Sequence, residues 1–177
     1  SGEMVRGGCL KGFSDGDAES FEQLYKFISP ADKANFQIML HAIGAADEAL
    51  LIRLMQDPHD VVRGWAARLA LESRTASPTL LGALGKLAAK DDSAWVLLAL
   101  AGGAQRLSPA DRRQICESLL RRPADTADRN LSLMQWYAIE PLVAVDTYWA
   151  IDAARQAGDP LVRQLIARRL AEPADAA

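Results

Sequence analysis

Asp57-Pro58-His59-Asp60-Val61-Val62-Arg63, continuing as Trp65-Ala66-Ala67-Arg68-Leu69-Ala70, is the stretch whose reading decides the fold. Asp-Pro makes a turn and a helix start: the Asp carboxylate can accept an unpaired N–H, and Pro has none to lose in the first turn. The apolar residues that follow recur at helical spacing. The pattern returns at Asp159-Pro160-Leu161-Val162-Arg163, continuing Leu165-Ile166-Ala167-Arg168-Arg169-Leu170. Asp91-Asp92-Ser93-Ala94-Trp95-Val96 is a weaker copy, with Leu97 where Arg would stand. Asp57 and Asp91 are 34 residues apart, and Asp91 and Asp159 are 68 apart, twice that spacing. A period of this length is that of helix-pair repeats.

The repeated residues Asp57, Val62, Arg63, Asp159, Val162 and Arg163 read as structural. Val faces the neighbouring repeat, and Arg bridges to an acidic group on an adjacent turn or repeat. Each pair leaves an apolar face that the next pair closes. Outward from this stretch, Ser29-Pro30-Ala31-Asp32 and Ser108-Pro109-Ala110-Asp111 are one start signal used twice, and Ser77-Pro78 repeats it without the Asp. Ser caps, Pro fills the first helical position, and Asp reaches back as in a capping box.

These signals predict helices near 3–12, 18–28, 30–43, 46–56, 59–73, 78–90, 92–106, 109–122, 129–144, 147–157 and 160–172. Gly44 and Gly158 read as helix stops. The short connections predict antiparallel hairpins. The reading is weakest over the first thirty residues, where Gly7, Gly8 and Gly12 disfavour a clean helix.

Half of the 177 residues are hydrophobic, and runs of Val, Ile and Thr with period two are missing, so the expected class is all-α. The expected architecture is an α-α superhelix of antiparallel helix pairs, spanning 1–177 as one domain. A net charge of −3 argues against nucleic acid as a partner, since phosphate binding draws on an excess of Lys and Arg. The most apolar run, Ala94 to Ala104, suits a buried helix rather than a membrane span. Cys9 and Cys116 read as buried thiols, with no Cys/His spacing for zinc. The opening Ser1-Gly2 suggests a piece excised from a larger protein, whose targeting signal could have been lost.

Together the Asp-Pro…Val-Arg copies resemble the HEAT repeat family and its armadillo-like relatives. The segment Asp128-Arg129-Asn130-Leu131-Ser132-Leu133-Met134-Gln135-Trp136-Tyr137-Ala138-Ile139-Glu140-Pro141-Leu142 carries a more specific likeness. It resembles the helical region of large bacterial membrane-bound dehydrogenases of the PVC-type haem-binding kind, and the likeness extends over roughly residues 45 to 172. In those proteins the helical segment lies between a propeller-type dehydrogenase domain and a c-type cytochrome domain. The resemblance implies a non-catalytic scaffold that docks such domains, in a periplasmic or membrane-associated setting. This chain has no Cys-x-x-Cys-His to attach a haem, and no cofactor is expected.

Within the segment, Asp128, Asn130, Trp136, Tyr137, Glu140 and Pro141 stand out, together with Arg168 and Arg169. Glu140 with Tyr137 and one of the two arginines reads as a polar site or, more simply, as a buried ion-pair lock between repeats. Trp136 and Tyr137 read as core packing or as a ligand-binding aromatic face. Pro141 should kink or break its helix and free the Tyr137 carbonyl. Trp65 and Trp95 are further candidates for packing between repeats, and Trp149 a weaker one. His41, beside Met39, would need a second ligand aimed at one iron to hold haem; His59 reads as an exposed turn residue. Two alternatives stay open: a nucleic-acid protein of the DNA-glycosylase type, with Arg63, Arg68, Arg163 and Arg168 on one basic groove, and a lyase-like HEAT protein that handles a tetrapyrrole.

Overall fold

The computed structural model of the chain describes residue 25 and residues 27–42, 44, 46–123 and 129–172. The helices expected near 3–12 and over most of 18–28, together with Cys9 and Asp128, lie outside the described residues. The described residues are all-α, with nine helices and no strand. They are α1 (Pro30–Ala42), α2 (Glu48–Leu54), α3 (Asp60–Ala70), α4 (Pro78–Lys90), α5 (Ala94–Ala104), α6 (Pro109–Leu120), α7 (Arg129–Val145), α8 (Thr147–Gln156) and α9 (Pro160–Ala171).

Local sequence explains the starts. Ser77 accepts from Leu80 N–H, Ser108 from Asp111 N–H, and Asp47, Asp146 and Asp159 cap in the same way. The Asp of Ser-Pro-Ala-Asp does not reach the backbone as a capping box would. Its carboxylate accepts from the Ser hydroxyl instead, at 2.6 Å in α1 and 2.8 Å in α6. Gly44 ends α1 with φ of +73°, a left-handed conformation that favours glycine. Gly158 stops α8 for another reason. Its N–H donates to Leu120 O, and a Cβ there would collide with the carbonyl of Arg122, so two backbones touch. Of the kink or break expected at Pro141, the break does not occur: α7 continues through it to Val145.

Alternate helices pack side by side. One layer runs α1, α3, α5, α7, α9; the other runs α2, α4, α6, α8. Each helix of the second layer also packs on the helix that follows it in the chain, which closes the apolar face a lone pair would expose. Between the layers lies one continuous core: Val62, Leu71, Leu84, Leu100, Ile115, Leu119, Ile139, Leu142 and Ile166 are all fully enclosed. α5 is apolar on every side because it sits at the centre of this core.

A side-chain ladder ties the first layer together. Lys33 Nζ stands 3.7 Å from Asp57; Arg63 binds Asp91 through Nε at 2.6 Å and Nη2 at 3.0 Å; the Ser132 hydroxyl donates to Asp159. Each donor is the fourth residue of its helix, and each acceptor is the Asp before the next helix of the layer. Leu97 holds that place in α5, so this helix supplies no such donor. Arg63 also donates to the carbonyls of Asp57 and Pro58 at 2.9 Å, and Arg163 to that of Ala157 at 2.6 Å, so the same side chain clasps the preceding turn.

Candidate functional site

Trp136, Tyr137, Glu140, Arg168 and Arg169 converge on one open groove between α7 and α9, of about 530 Å³, with Leu165 and Glu172 completing its lining. Helical spacing puts Trp136, Tyr137 and Glu140 on one side of α7, while Leu165, Arg168 and Arg169 fall on one side of α9. Arg169 Nε reaches Glu140 at 3.2 Å, and its Nη1 reaches Glu172 at 3.3 Å. Among the described residues Arg168 pairs with Glu172 alone, at 3.8 Å. An ion pair therefore joins α7 to α9 and uses Arg169, but it is not buried: the Glu140 side chain is 38 % exposed and Arg169 28 %. Water weakens such a pair, so its worth is at most about 1 kcal/mol.

Tyr137 corrects a second expectation. It is 53 % exposed, not packed in the core, while Trp136 beside it is half-buried against the core. The phase of the helix explains the difference, since Ala138 and Ile139 take the inward positions. Asn130 is exposed near the start of α7, away from the residues lining the groove. Pro141 is half-buried one turn on from Tyr137.

A second aromatic contact lies further along the same layer. The rings of Trp65 and Trp95 stand 6.4 Å apart, and the Arg68 guanidinium sits 5.1 Å over Trp65. Trp149 joins the other layer, donating from Nε1 to Glu117 at 3.0 Å beneath the Arg113 guanidinium. The four arginines required together by a nucleic-acid groove are divided: Arg63 and Arg68 on α3, Arg163 and Arg168 on α9, with α5 and α7 between. His41 Nε2 lies 2.8 Å from Glu72, and His59 is exposed with Nδ1 2.9 Å from Asp57.

Two features escaped the sequence reading. Arg112 is buried without a carboxylate; its guanidinium donates to the carbonyls of Leu107 (2.6 Å), Gln105 (2.9 Å) and Ala138 (3.4 Å). Ala138 O lies one residue past the carbonyl that Pro141 was expected to free, and it also accepts from Cys116 Sγ at 3.5 Å. A larger groove, about 740 Å³, opens between α2, a helix of 7 residues, and α4, one of 13. Ile52, Met55 and Leu87 supply its apolar lining, and Lys86 and Lys90 stand on its α4 side one turn apart.

Burial alone would raise the Asp91 carboxyl, but hydrogen bonds from Arg63 and the Ser93 N–H, with the charges of Arg63 and Arg122, hold it below the ordinary value. Burial pushes the Cys116 thiol up to about 12. Among the described residues no group of three His, Cys, Asp or Glu is placed to hold a metal ion, and no helix is long and apolar enough to cross a membrane. Comparison with family models, with curated proteins and with solved structures finds no match for this chain.

Proposed function

We propose that the chain is a HEAT-like solenoid segment that docks another protein domain and performs no bond chemistry itself. The observation that carries the reading is the α7–α9 groove, where an exposed tyrosine and a half-buried tryptophan stand beside two arginines. Aromatic side chains and arginines are the residues on which protein contacts concentrate their binding energy. The alternating layers and the Lys33–Asp57, Arg63–Asp91 and Ser132–Asp159 rungs support the solenoid, because among the described residues the main contacts of each helix are with its near neighbours in the stack. The groove lies on the second helix of consecutive pairs, the layer on which a solenoid of this kind presents its concave surface.

The sequence likeness to the helical region of membrane-bound dehydrogenases selects the partner: a propeller-type dehydrogenase domain or a c-type cytochrome domain of such a protein. The test is a titration of the chain with each domain, expressed separately, at low and high salt. Salt-resistant binding that Tyr137→Ala weakens about tenfold, with the helical content unchanged, supports docking through the groove. If neither domain binds, while the chain retains DNA or a tetrapyrrole, the docking reading fails and the corresponding alternative replaces it.

A further inference from the structure

The groove between α2 and α4 carries positive charge that the chain leaves unanswered. It runs along α4 from Thr79 to Lys90, about 16 Å of helix. The Ser77 hydroxyl donates to Glu48 and ties the starts of the two helices together. The floor is apolar: Met55 is buried, with Ile52 and Leu87 half-buried beside it. The carboxylates on the groove are already neutralised, Asp91 by Arg63 at 2.6 Å and Asp92 by Arg122 at 2.7 Å. Lys86 and Lys90 are exposed, and among the described residues neither forms an ion pair. Elsewhere along this layer the arginines find carboxylates: Arg113 has Asp146 at 2.9 Å and Arg155 has Asp152 at 3.3 Å.

We propose that this groove docks an acidic amphipathic helix of a partner protein. Charge complementarity selects the occupant. Two cations one helical turn apart, beside an apolar floor, match carboxylates one turn apart beside an apolar stripe. About three turns of helix fill the length. The walls are helices whose backbone groups are already bonded, so there is no edge on which a strand adds; a helix satisfies its own backbone. Met55, unbranched and polarizable, adapts to side chains of differing shape. A phosphate chain suits the site less well, because the floor gives it nothing to contact and Asp91 and Asp92 border it. The groove lies on the other layer from Tyr137 and does not depend on docking between α7 and α9.

Fluorescence anisotropy of the full chain with two labelled, side-chain-stapled helical peptides tests the proposal. Both carry a stripe of Leu along one face; one has Glu on the flanking positions and the other Gln. The Glu peptide should bind, more weakly as salt rises, and the Gln peptide about tenfold less tightly. Lys86→Glu combined with Lys90→Glu should abolish binding with the circular dichroism unchanged, while Tyr137→Ala should leave it intact. With isotope-labelled methionine methyl groups, the Met55 resonance should shift on binding. That of Met134, which lies against Gly102 in the other layer, should not. Failure of the Glu peptide to bind, equal binding of both peptides, or binding indifferent to the two lysines overturns the proposal. So does a shift at Met134 without one at Met55, or a DNA duplex that takes the same lysines in preference to the peptide.

Discussion

The indole of Trp95 occupies the space that a side chain on residue 64 would need: a Cβ added to Gly64 would overlap its Nε1 and Cδ1. The glycine sits inside α3, where alanine would otherwise be the better helix former, so its presence follows from the tryptophan packed against it. Gly64→Ala should destabilise the fold. Overpacking removes about 1–3 kcal/mol, against up to about 1 kcal/mol of helix propensity gained. Gly82, in α4, has nothing within 4 Å of an added Cβ, and Gly82→Ala should raise stability by up to about 1 kcal/mol. Urea midpoints of the two variants should move in opposite directions.

Asp91 should make stability depend on acid. Its carboxyl is depressed in the folded chain, so the stabilisation is fully present above the unfolded value, about 3.9. It is lost as pH falls through the lower folded value. Asp91→Asn should therefore flatten the decline in urea midpoint below about pH 4. At neutral pH, Asp91→Ala should remove about 3 kcal/mol, because it leaves Arg63 without the carboxylate that both Nε and Nη2 engage.

Arg112 should be hard to replace. Its fork satisfies carbonyls from the end of α5, from the turn before α6 and from α7 at once. Arg112→Ala should lower stability by about 3 kcal/mol. Arg112→Lys should recover little of it, since an ammonium cannot span acceptors that a planar guanidinium reaches together. Thermal denaturation of both variants checks this.

Cys116 should be inert to thiol reagents while the chain is folded. It is fully buried, it lies against Ala138 O, and its thiol is pushed up to about 12, so almost no thiolate exists at neutral pH. In a Cys9→Ser background, labelling should proceed at the rate of global opening and accelerate in urea in step with unfolding.

Helix starts were legible in the sequence because they are written in local chemistry. Ser77, Ser108 and Asp159 each cap a helix whose first residue is proline, and all three helices begin where that pattern places them. The sequence reading grouped Glu140 with Tyr137 and one of Arg168 and Arg169, and Arg169 is the one that reaches Glu140. What spacing does not carry is helix phase relative to a neighbour. One residue separates the half-buried Trp136 from the exposed Tyr137, and α5 is apolar all round, so no face of it can be singled out. Arg112 was missed for a related reason. Its acceptors are backbone carbonyls, which every residue possesses, so no partner letter in the sequence announces the contact.

The rungs all point one way along the chain, from a donor to an Asp that follows it. Arg63 precedes Asp91 by 28 residues and Ser132 precedes Asp159 by 27. On a ribosome the donor emerges first and waits in water, where a solvated cation such as Lys33 or Arg63, or the Ser132 hydroxyl, is stable alone. Each carboxylate then arrives beside a partner already in place, and at no stage need it enter the layer unpaired. In the order of synthesis, the ladder lets the helix stack extend from its amino end with a hydrogen-bond donor already waiting for each buried carboxylate.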